Sequence, residues 1–346
     1  MKKICINCAP LANKITGIER VLYENIKRID ILNGGHNISI EALCPDGIKI
    51  NLPPIKNMKI VKLKSKGKKI DYLTLAMYLK KNNAVYFSLH GGFCLQKGAV
   101  VCTHDIRPLI YKSFDPFKFR LICTINAYSS KFLADKIITV SQSSKKEMCE
   151  KLKLKQNKVE VIYNGWEHIS EVKADETIWD RLSDVKKKDY YYSLSSRAPH
   201  KNFKWIEEVA RRNSDNTFLV AGNKWRDDGE DVDIPPNMKY LGYVTDSENI
   251  ELMRNCKAFL HPSKYEGFGI TPLEALACGA TICVADIKCL REIFGKSAHY
   301  FNADDYNVNL DMLVKENVEN PDNVLNKFTW DRSSHKWYEL MLRYSR

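Results

Sequence analysis

Short apolar runs rich in β-branched residues alternate with segments of helical periodicity along this chain, and the series occurs twice. In the first half the predicted strands lie at residues 3–7, 38–43, 85–89, 99–103, 136–140 and 159–163. In the second half they lie at residues 190–194, 217–220, 240–241, 258–261, 281–285 and 299–301. Because strands that alternate with helices form parallel sheets, the pattern predicts two doubly wound α/β domains.

A polar stretch, 166–189, separates the two series and contains three consecutive lysines at 186–188. We interpret it as a connection between domains, so the first domain is predicted to span 1–165 and the second 166–330. Residues 331–346 are predicted to form a final helix that packs back on the first domain. Ligands of doubly wound sheets bind at the carboxyl ends of the strands, so we expect the two domains to face a central cleft that holds the site.

Charge is divided unequally between the two halves. The whole chain has 54 Lys and Arg against 42 Asp and Glu, a net charge of +12, whereas residues 1–165 have 29 against 12, or +17. The densest basic stretch contains Lys59, Lys62, Lys64, Lys66, Lys68 and Lys69. It is interpreted either as a solvated lysine-rich loop or as a segment attracted to anionic lipid. No recognised nucleic-acid motif accompanies it, so we expect no nucleic-acid partner.

Eleven cysteines, an odd number, are scattered through apolar segments. Cys5 and Cys8 form a C-x-x-C pair in and beside the first predicted strand, without a second pair at zinc-ribbon spacing, so buried thiols are expected rather than a metal site. Polar residues and proline interrupt the start of the chain too early for a signal peptide, and no apolar run approaches the roughly 18 residues of a membrane span. These features predict a cytoplasmic protein with reduced thiols.

The segment 261–274, HPSKYEGFGITPLE, carries the most specific chemistry in the sequence. A strand ends near His261, a loop with two glycines follows, and a helix is predicted to begin near Thr271. Glycines let the backbone approach a ligand, and a helix N-terminus favours a phosphate group. Glu266 in the loop and Glu274 in the helix would then face one site. Taken alone, the pattern also fits a turn and a helix whose acidic residue stabilises its own N-terminus.

This segment resembles the E-x7-E motif of the retaining family 4 glycosyltransferases, the glycosyltransferase group 1 enzymes of the GT-B fold. Glu266 and Glu274 have the spacing of that motif, with Gly-Phe-Gly after the first glutamate. Further segments are similar to family motifs in the same order: VCTHD at 101–105, VSQSSK at 140–145, VIYNG at 161–165 and LGYV at 241–244. The resemblance covers most of the chain and implies two Rossmann-like domains, the first for the acceptor and the second for the nucleotide-sugar donor.

The resemblance also implies roles for individual residues. Glu274 would bind the ribose hydroxyls, Glu266 the hydroxyls of the donor sugar, and Arg197 and Lys201 the diphosphate. The donor site would be completed by backbone and side chains of Gly17, Gly222, Tyr243, Val244, Gly267, Phe268, Gly269, Ile270 and Thr271.

His104, at a predicted strand end, is implied to lie beside the reacting sugar and the acceptor, and His90 is a second candidate for that position. Two features depart from the family pattern. Only three residues separate Arg197 from Lys201, where many members have a longer gap, and the first glycine-rich loop has the single Gly17 where a pair is common. Both departures concern contacts with the diphosphate.

The chemistry implied by the resemblance is sugar transfer with retention at the anomeric carbon. The leaving phosphate itself would take the proton of the acceptor, and a cationic pair would stabilise the charge that grows on the diphosphate. Because that pair and a helix terminus can take the place of a divalent metal, we expect no metal ion and no other cofactor.

Donor and acceptor are less well defined. The segment 199–205, PHKNFKW, is similar to bacterial capsule and cell-wall rhamnosyltransferases, which suggests dTDP-rhamnose, while UDP-sugars and GDP-mannose stay open. A lipid-linked saccharide at the inner face of a membrane, with peripheral binding to anionic lipid, would suit the basic half. Three alternatives remain: a hydrolase that uses the two glutamates as acid and nucleophile, an epimerase of the same fold, and a non-catalytic nucleotide-sugar-binding module.

Overall fold

The computed structural model describes residues 2–35, 38–196, 198–222 and 234–346. Its strands are β1 (Lys3–Asn7), β2 (Ile40–Pro45), β3 (Lys59–Leu63), β4 (Ser65–Lys66), β5 (Lys69–Ile70), β6 (Ala84–Ser88), β7 (Ala99–Cys102), β8 (Ala134–Thr139), β9 (Val159–Val161), β10 (Tyr190–Leu194), β11 (Thr217–Ala221), β12 (Met238–Gly242), β13 (Ala258–His261), β14 (Ile282–Ala285) and β15 (His299–Phe301). Its helices are α1 (Gly17–Asn33), α2 (Tyr72–Lys81), α3 (Arg107–Ile110), α4 (Phe117–Leu133), α5 (Gln142–Leu152), α6 (Phe203–Arg212), α7 (Asp246–Arg254), α8 (Ile270–Ala277), α9 (Lys288–Phe294), α10 (Leu310–Leu313), α11 (Asp322–Lys327) and α12 (Trp330–Ser345).

The chain divides into two compact units. The first comprises Met1–Gly165 and Phe328–Arg346, and the second comprises Trp166–Lys327. The first contains a parallel sheet in the order β3-β2-β1-β6-β7-β8-β9, and the second a parallel sheet in the order β12-β11-β10-β13-β14-β15. In each, the chain starts at an inner strand, adds two strands on one side and then the rest on the other, as Rossmann-like domains do. The prediction of two Rossmann-like, doubly wound domains is confirmed, and the central cleft stays a prediction.

The inner strands of both sheets are buried along most of their length, since helices cover both faces of a parallel sheet. All six residues of β2 and all five of β6 are buried, and β10 has four buried residues out of five. Such strands read as continuous apolar runs rather than as an alternation, which is why the sequence predicts them well. The bounds of β1, β10, β13 and β15 agree with the prediction to the residue.

In the first unit, two apolar layers lie on opposite faces of the sheet. One joins α1 and α12 to the sheet, and the other joins α2, α4 and α5 to it. Helix α12 packs along α1. Its Trp337 contacts the Phe87 ring at 6.4 Å between centroids, and its Tyr338 hydroxyl donates to Asn33 Oδ1 at 3.0 Å. The end of the chain thus supplies part of the core of the first unit.

The lysine-rich stretch is not a loop, which corrects one of the two interpretations given above. Residues Lys59–Leu63 form β3, the edge strand next to β2, and β4 and β5 form a short hairpin around Gly67, whose φ is +61°. All six lysines are exposed. Exposed lysines on an edge strand disfavour pairing with a second sheet. The predicted attraction of these lysines to lipid stays a prediction.

The predicted connection 166–189 is also corrected, because it packs as part of the second unit. Two short 3-10 turns, Glu167–Glu171 and Glu176–Arg181, bury Ile169, Ile178 and Leu182. Trp179 donates from Nε1 to Glu251 Oε1 at 2.7 Å. The interpretation as a connection rested on the polar composition of the segment, but its few apolar residues are buried and hold it against the second unit.

None of the eleven cysteines forms a disulfide, and nine of them are buried. Burial raises the pKa of the Cys5 thiol to about 12, with nearby Glu41 adding to the effect. A thiolate is therefore disfavoured at the C-x-x-C pair. In the described part of the chain, no helix has both the length and the hydropathy that crossing a membrane requires.

Candidate functional site

Two of the residues predicted to bind the donor lie where the strand order of the second sheet reverses. Strands β10 and β13 are neighbours in the sheet but are separated in sequence by β11 and β12. Lys201 follows β10, and Glu266 follows β13. The loops after two such strands diverge to opposite sides and leave a crevice, which is where ligands of open α/β sheets bind.

Lys201 and Glu266 form an ion pair across this crevice. Lys201 Nζ lies 2.7 Å from Glu266 Oε1, and His261 Nε2 donates to the same oxygen at 2.9 Å. The Glu266 side chain is 13% exposed and that of Lys201 is 28% exposed. His261 is the last residue of β13, so the sheet itself fixes one partner of the glutamate.

The electrostatics of this cluster keep Glu266 charged. Burial by itself would raise the pKa of Glu266, but the positive charge of Lys201 and the hydrogen bond from His261 outweigh it and hold that pKa well below its ordinary value. Burial lowers the pKa of His261, against the opposite effect of the glutamate. One oxygen of the Glu266 carboxylate therefore accepts hydrogen bonds from both the Lys201 ammonium group and a neutral His261 imidazole.

The glycine-rich turn behind Glu266 leads directly into α8. Gly269 has φ +96°, and a Cβ atom there would lie 2.8 Å from Leu290 Cδ2, so this position requires glycine. Helix α8 begins at Ile270, one residue before the predicted start. Phe268 is buried, which leaves its backbone as the part able to meet a ligand. The N-terminus of α8 is suited to a phosphate group, with the amides of Ile270 and Thr271 in its first turn.

Glu274 lies one turn into α8 and has a partner that the sequence did not indicate. His168 Nε2 lies 2.8 Å from Glu274 Oε1, and the histidine side chain is 5% exposed. His168 belongs to the segment that was predicted to be a connection. The glutamate is thereby held in one orientation by a neighbour 106 positions away in sequence.

The loops after β11 and β12 lie side by side with the loop after β10. Gly222 donates its N–H to the carbonyl of Gly242 at 2.8 Å, and a Cβ atom on Gly222 would lie 1.8 Å from the Ser195 carbonyl oxygen. Tyr243 is 50% exposed, whereas Val244 is buried and can offer a ligand only its backbone. The strand order places these two residues two strands away from the loop after β10, at the same edge of the sheet.

Arg197, predicted as the second cation for the diphosphate, lies outside the described residues. The same holds for the Asp-x-Asp sequence Asp231-Val232-Asp233. In the described ranges, no group of three or more His, Cys, Asp or Glu side chains could hold a metal ion. Metal independence stays a prediction.

The first unit places His104 and His90 together at the carboxyl edge of its own sheet. His104 follows β7 and His90 follows β6, and both line a cavity of about 230 Å³. Burial lowers the pKa of His104 to about 4, although a hydrogen bond with the His90 backbone acts in the opposite direction. Burial also lowers the pKa of His90 to about 3, and the nearby His104 adds to this effect. Both imidazoles are therefore neutral near pH 7.

Gly17 is the first residue of α1, and its neighbour Ile18, which is 47% exposed, also lines this cavity. A Cβ atom on Gly17 would meet nothing within 4 Å. The fold therefore gives no steric reason for glycine at this position, and its predicted approach to the diphosphate stays a prediction.

Sequence reasoning missed two residues of the donor-side clusters. His261 stands at a strand end directly before the E-x7-E segment, a position that could have marked it. No local signal could have found His168, because its contact with Glu274 depends on how the segment after Gly165 folds against α8.

Comparison with known proteins agrees with the fold. The structure of Anabaena HepE in complex with UDP and glucose aligns with a TM-score of 0.70 and 15% identity, over 99% of both chains. The strand orders and this likeness place the protein in the GT-B fold class. Residues 175–318 match the family described as Glycosyl transferases group 1. The chain thus carries a glycosyltransferase group 1 family domain.

Two curated relatives extend the likeness beyond that domain. The O-antigen chain mannosyltransferase RfbU of Salmonella typhimurium is 25% identical over 244 residues, which is 68% of this chain and 65% of the relative. The N,N'-diacetylbacillosaminyl-diphospho-undecaprenol alpha-1,3-N-acetylgalactosaminyltransferase of Campylobacter jejuni is 30% identical over 212 residues, 57% of this chain and 55% of that protein. The matches thus span between about half and two thirds of each relative's length.

Proposed function

We propose that this protein is a retaining, metal-independent glycosyltransferase that moves a hexose or deoxyhexose from a nucleotide-diphosphate sugar to a saccharide acceptor. The observation that carries the proposal is the Lys201–Glu266 pair, 2.7 Å apart at the reversal point of the second sheet and next to the N-terminus of α8. A cation, a carboxylate and a helix N-terminus at one crevice match the phosphates and hydroxyls of such a donor.

Each group has a part in binding the donor. Lys201 has three N–H donors, so it can hold Glu266 and a phosphate oxygen at once. Glu266 accepts hydrogen bonds from the sugar hydroxyls, and the backbone of Gly267–Gly269 approaches the same region. Glu274, which His168 orients, accepts from the ribose hydroxyls. We assign the loop of Tyr243 and Val244, which follows β12 at the same sheet edge, to the nucleotide.

In the proposed reaction the acceptor attacks the anomeric carbon from the face that the diphosphate leaves. The bond from that carbon to the phosphate oxygen breaks, the leaving phosphate takes the proton of the acceptor hydroxyl, and the configuration is retained. Lys201 and the α8 N-terminus stabilise the negative charge that grows on the diphosphate, with Arg197 as a further candidate. In this proposal His104, which is neutral near pH 7, accepts a hydrogen bond from the sugar or the acceptor.

The relatives' names support the hexose alternatives for the donor, since one is a mannosyltransferase and another an N-acetylgalactosaminyltransferase. Those names also support a lipid-linked saccharide acceptor in bacterial surface polysaccharide synthesis. We therefore propose GDP-mannose or a UDP-sugar ahead of dTDP-rhamnose. An acceptor on a lipid implies work at a membrane surface, to which the basic first half would be attracted.

A thermal-shift screen of the whole chain against UDP, GDP and dTDP identifies the nucleotide. A ligand at 100 times its dissociation constant should raise the free energy of unfolding by about 2.7 kcal/mol. The matching nucleotide sugars are then supplied with saccharide acceptors, with and without EDTA, and the anomeric configuration of the product is read by NMR. Transfer should survive EDTA and retain the configuration of the donor.

Glu266→Gln tests the residue at the centre of the site. We expect kcat to fall by about 100-fold or more, because the sugar loses a charged hydrogen-bond acceptor, while the nucleoside diphosphate still binds. Glu316→Gln, which changes an exposed glutamate of the same unit, should leave kcat unchanged. Rapid release of sugar from the donor without any acceptor would favour a hydrolase instead, and the absence of a shift with all three nucleotides would contradict the proposal.

A further inference from the structure

Helix α4 exposes a stripe of large apolar side chains. Phe117, Leu121, Ile125, Tyr128 and Phe132 follow one another at helical spacing, and their exposed fractions are 71%, 48%, 48%, 41% and 70%. The helix buries only Ala127 and Ser130. A helix on the surface of a globular protein normally turns its apolar stripe inward. Here the stripe faces outward, which marks an interaction surface.

The stripe continues onto α2 through the loop between β6 and β7. In α2, Tyr72, Leu73 and Met77 are 52%, 67% and 57% exposed. The ring of Tyr72 contacts that of Phe93 at 6.1 Å between centroids, and the next residue, Cys94, donates its N–H to Ser129 Oγ of α4 at 3.0 Å. Both helices pack on the same side of the first sheet. We call the exposed side chains of these two helices the α2–α4 face.

Basic residues flank the stripe, and acidic residues are missing from it. Helix α4 contains Lys118, Arg120 and Lys131 and no Asp or Glu. Lys131 Nζ lies 5.7 Å from the Tyr128 ring centroid and 5.4 Å from that of Phe132. Its ammonium group therefore lies within cation–π distance of two aromatic rings of the stripe. Aromatic and aliphatic side chains bordered by lysine and arginine are typical of helices that lie in the interface of an anionic bilayer.

The opposite side of α4 meets the cavity that contains the two neutral histidines. Phe119, Cys123 and Asn126 of α4 line it together with His90 and His104. A bilayer seated against the α2–α4 face would therefore lie one helix diameter from this cavity, on the order of 10 Å. The saccharide of a lipid-linked molecule could reach the cavity while its lipid chain stayed in the membrane.

We propose that the α2–α4 face docks on an anionic lipid bilayer and holds the histidine cavity at the membrane surface. The inference rests on the membrane association included in the proposed function and assigns it to a particular surface. Charge complementarity favours an anionic bilayer as the partner of this face. The basic border would contact the anionic headgroups, and the apolar stripe would contact the acyl chains below them. The exposed lysines of β3 to β5 are a competing site for the same lipid, and they carry no comparable stripe apart from Ile60.

Co-sedimentation of the whole chain with vesicles tests the proposal. The vesicles contain either phosphatidylcholine alone or phosphatidylcholine with about a third phosphatidylglycerol. The wild type should bind the anionic vesicles more tightly. The triple variant Phe117→Ser/Ile125→Ser/Phe132→Ser should lower that affinity by about tenfold or more, because it removes three side chains that insert. Lys118→Gln/Lys131→Gln should reduce the dependence of binding on salt.

Matched variants separate this face from other surfaces. Met312→Ser changes an exposed apolar residue of the second unit, 68% exposed, and should leave vesicle binding unchanged. Lys59→Gln/Lys62→Gln/Lys66→Gln tests the competing lysine site and should have a smaller effect than the triple variant. The triple variant should keep its thermal shift with nucleotide and its transfer to a soluble acceptor, so that a failure of docking is distinguished from a failure of the proposed function.

Three results would overturn the proposal. One is equal binding of the wild type and the triple variant to anionic vesicles. Another is the absence of any binding by the wild type. The third is a concentration-dependent dimer, seen by analytical ultracentrifugation, that the triple variant disperses without any change in vesicle binding, since a second copy of the chain would then cover the face.

Discussion

Glu266 illustrates how the contacts of a single side chain determine its charge. Its side chain is largely buried, which disfavours a charge, yet it remains charged because Lys201 and His261 both contact one of its oxygens. The second oxygen has no partner among the hydrogen bonds that the structure describes. A carboxylate held in this way is ready to accept hydrogen bonds from a ligand without first being deprotonated.

Lys201→Met should raise the pKa of Glu266, because burial would then act on a carboxylate without its main opposing charge. A carboxyl group whose pKa is lowered by folding stabilises the fold above its unfolded pKa, and this contribution is lost as pH falls through the folded pKa. In the variant the loss should therefore begin at a higher pH. Urea denaturation between about pH 7 and pH 4 measures it, and we expect the less well-paired carboxylate to cost about 1–3 kcal/mol at pH 7.

Lys204→Met is the matched control, since Lys204 is an exposed lysine three positions further along. It should leave both the stability and its pH dependence unchanged. If Lys201→Met and the wild type responded identically to acid, Lys201 would not be what keeps Glu266 ionised.

Gly222→Ala should be strongly destabilising. Gly222 has φ +139°, and the added Cβ atom would overlap the Ser195 carbonyl oxygen at 1.8 Å, so the backbone itself must move. We expect a loss of about 3 kcal/mol or more in the free energy of unfolding. Gly17→Ala, at a helix start with open space around it, should be neutral or slightly stabilising. Thermal denaturation of the two variants compares them, and equal stability would contradict the close approach at Gly222.

At the scale of elements, α12 completes a core that it does not adjoin in sequence. It contributes the buried residues Trp337, Tyr338, Leu340 and Met341 to the layer formed by α1 and the first sheet. The sequence predicts that this helix packs back on the first domain, but its particular partner there, α1, follows only from the path of the chain.

Trp337→Ala should destabilise the first unit by about 3–5 kcal/mol, because a fully buried indole would leave a cavity. Glu339→Ala, on the exposed side of the same helix, should change stability by less than about 0.5 kcal/mol. Hydrogen exchange of the β1 and β6 amides gives a local measurement, and protection equal to that of the wild type in Trp337→Ala would argue against this role for α12.

Two interpretations of sequence segments were wrong, because the amino-acid composition of a segment does not show how its backbone and side chains pair with the rest of the fold. The stretch of Lys59 to Lys69 looks like a loop, but the extended edge strand β3 can leave its lysines in water while its backbone pairs with β2. The segment after Gly165 looks like a linker, but a few apolar residues and Trp179 suffice to fix it. In both cases backbone hydrogen bonds or a few well-packed side chains fix the structure of a segment whose average composition is polar.

At the scale of the whole molecule, the two units differ in how they depend on the ends of the chain. Trp166–Lys327 is continuous in sequence, whereas the first unit needs both Met1–Gly165 and Phe328–Arg346. Residues 166–327 should therefore fold alone with a cooperative thermal transition. Residues 1–165 alone should lack near-UV circular dichroism typical of a packed core and should regain it when a peptide of residues 328–346 is added. A fully folded 1–165 fragment would contradict this division.

The sequence by itself determined the alternation of strands and helices and hence the two doubly wound sheets, because buried parallel strands leave continuous apolar runs. It also determined the E-x7-E segment with its glycine turn, since backbone approach and helix initiation are local properties. Only the tertiary structure brought Lys201 to Glu266, His168 to Glu274 and α12 to α1, and only it turned the apolar stripe of α4 outward. Those contacts join residues distant in sequence, and such proximity is fixed by the order of strands in a sheet and by packing.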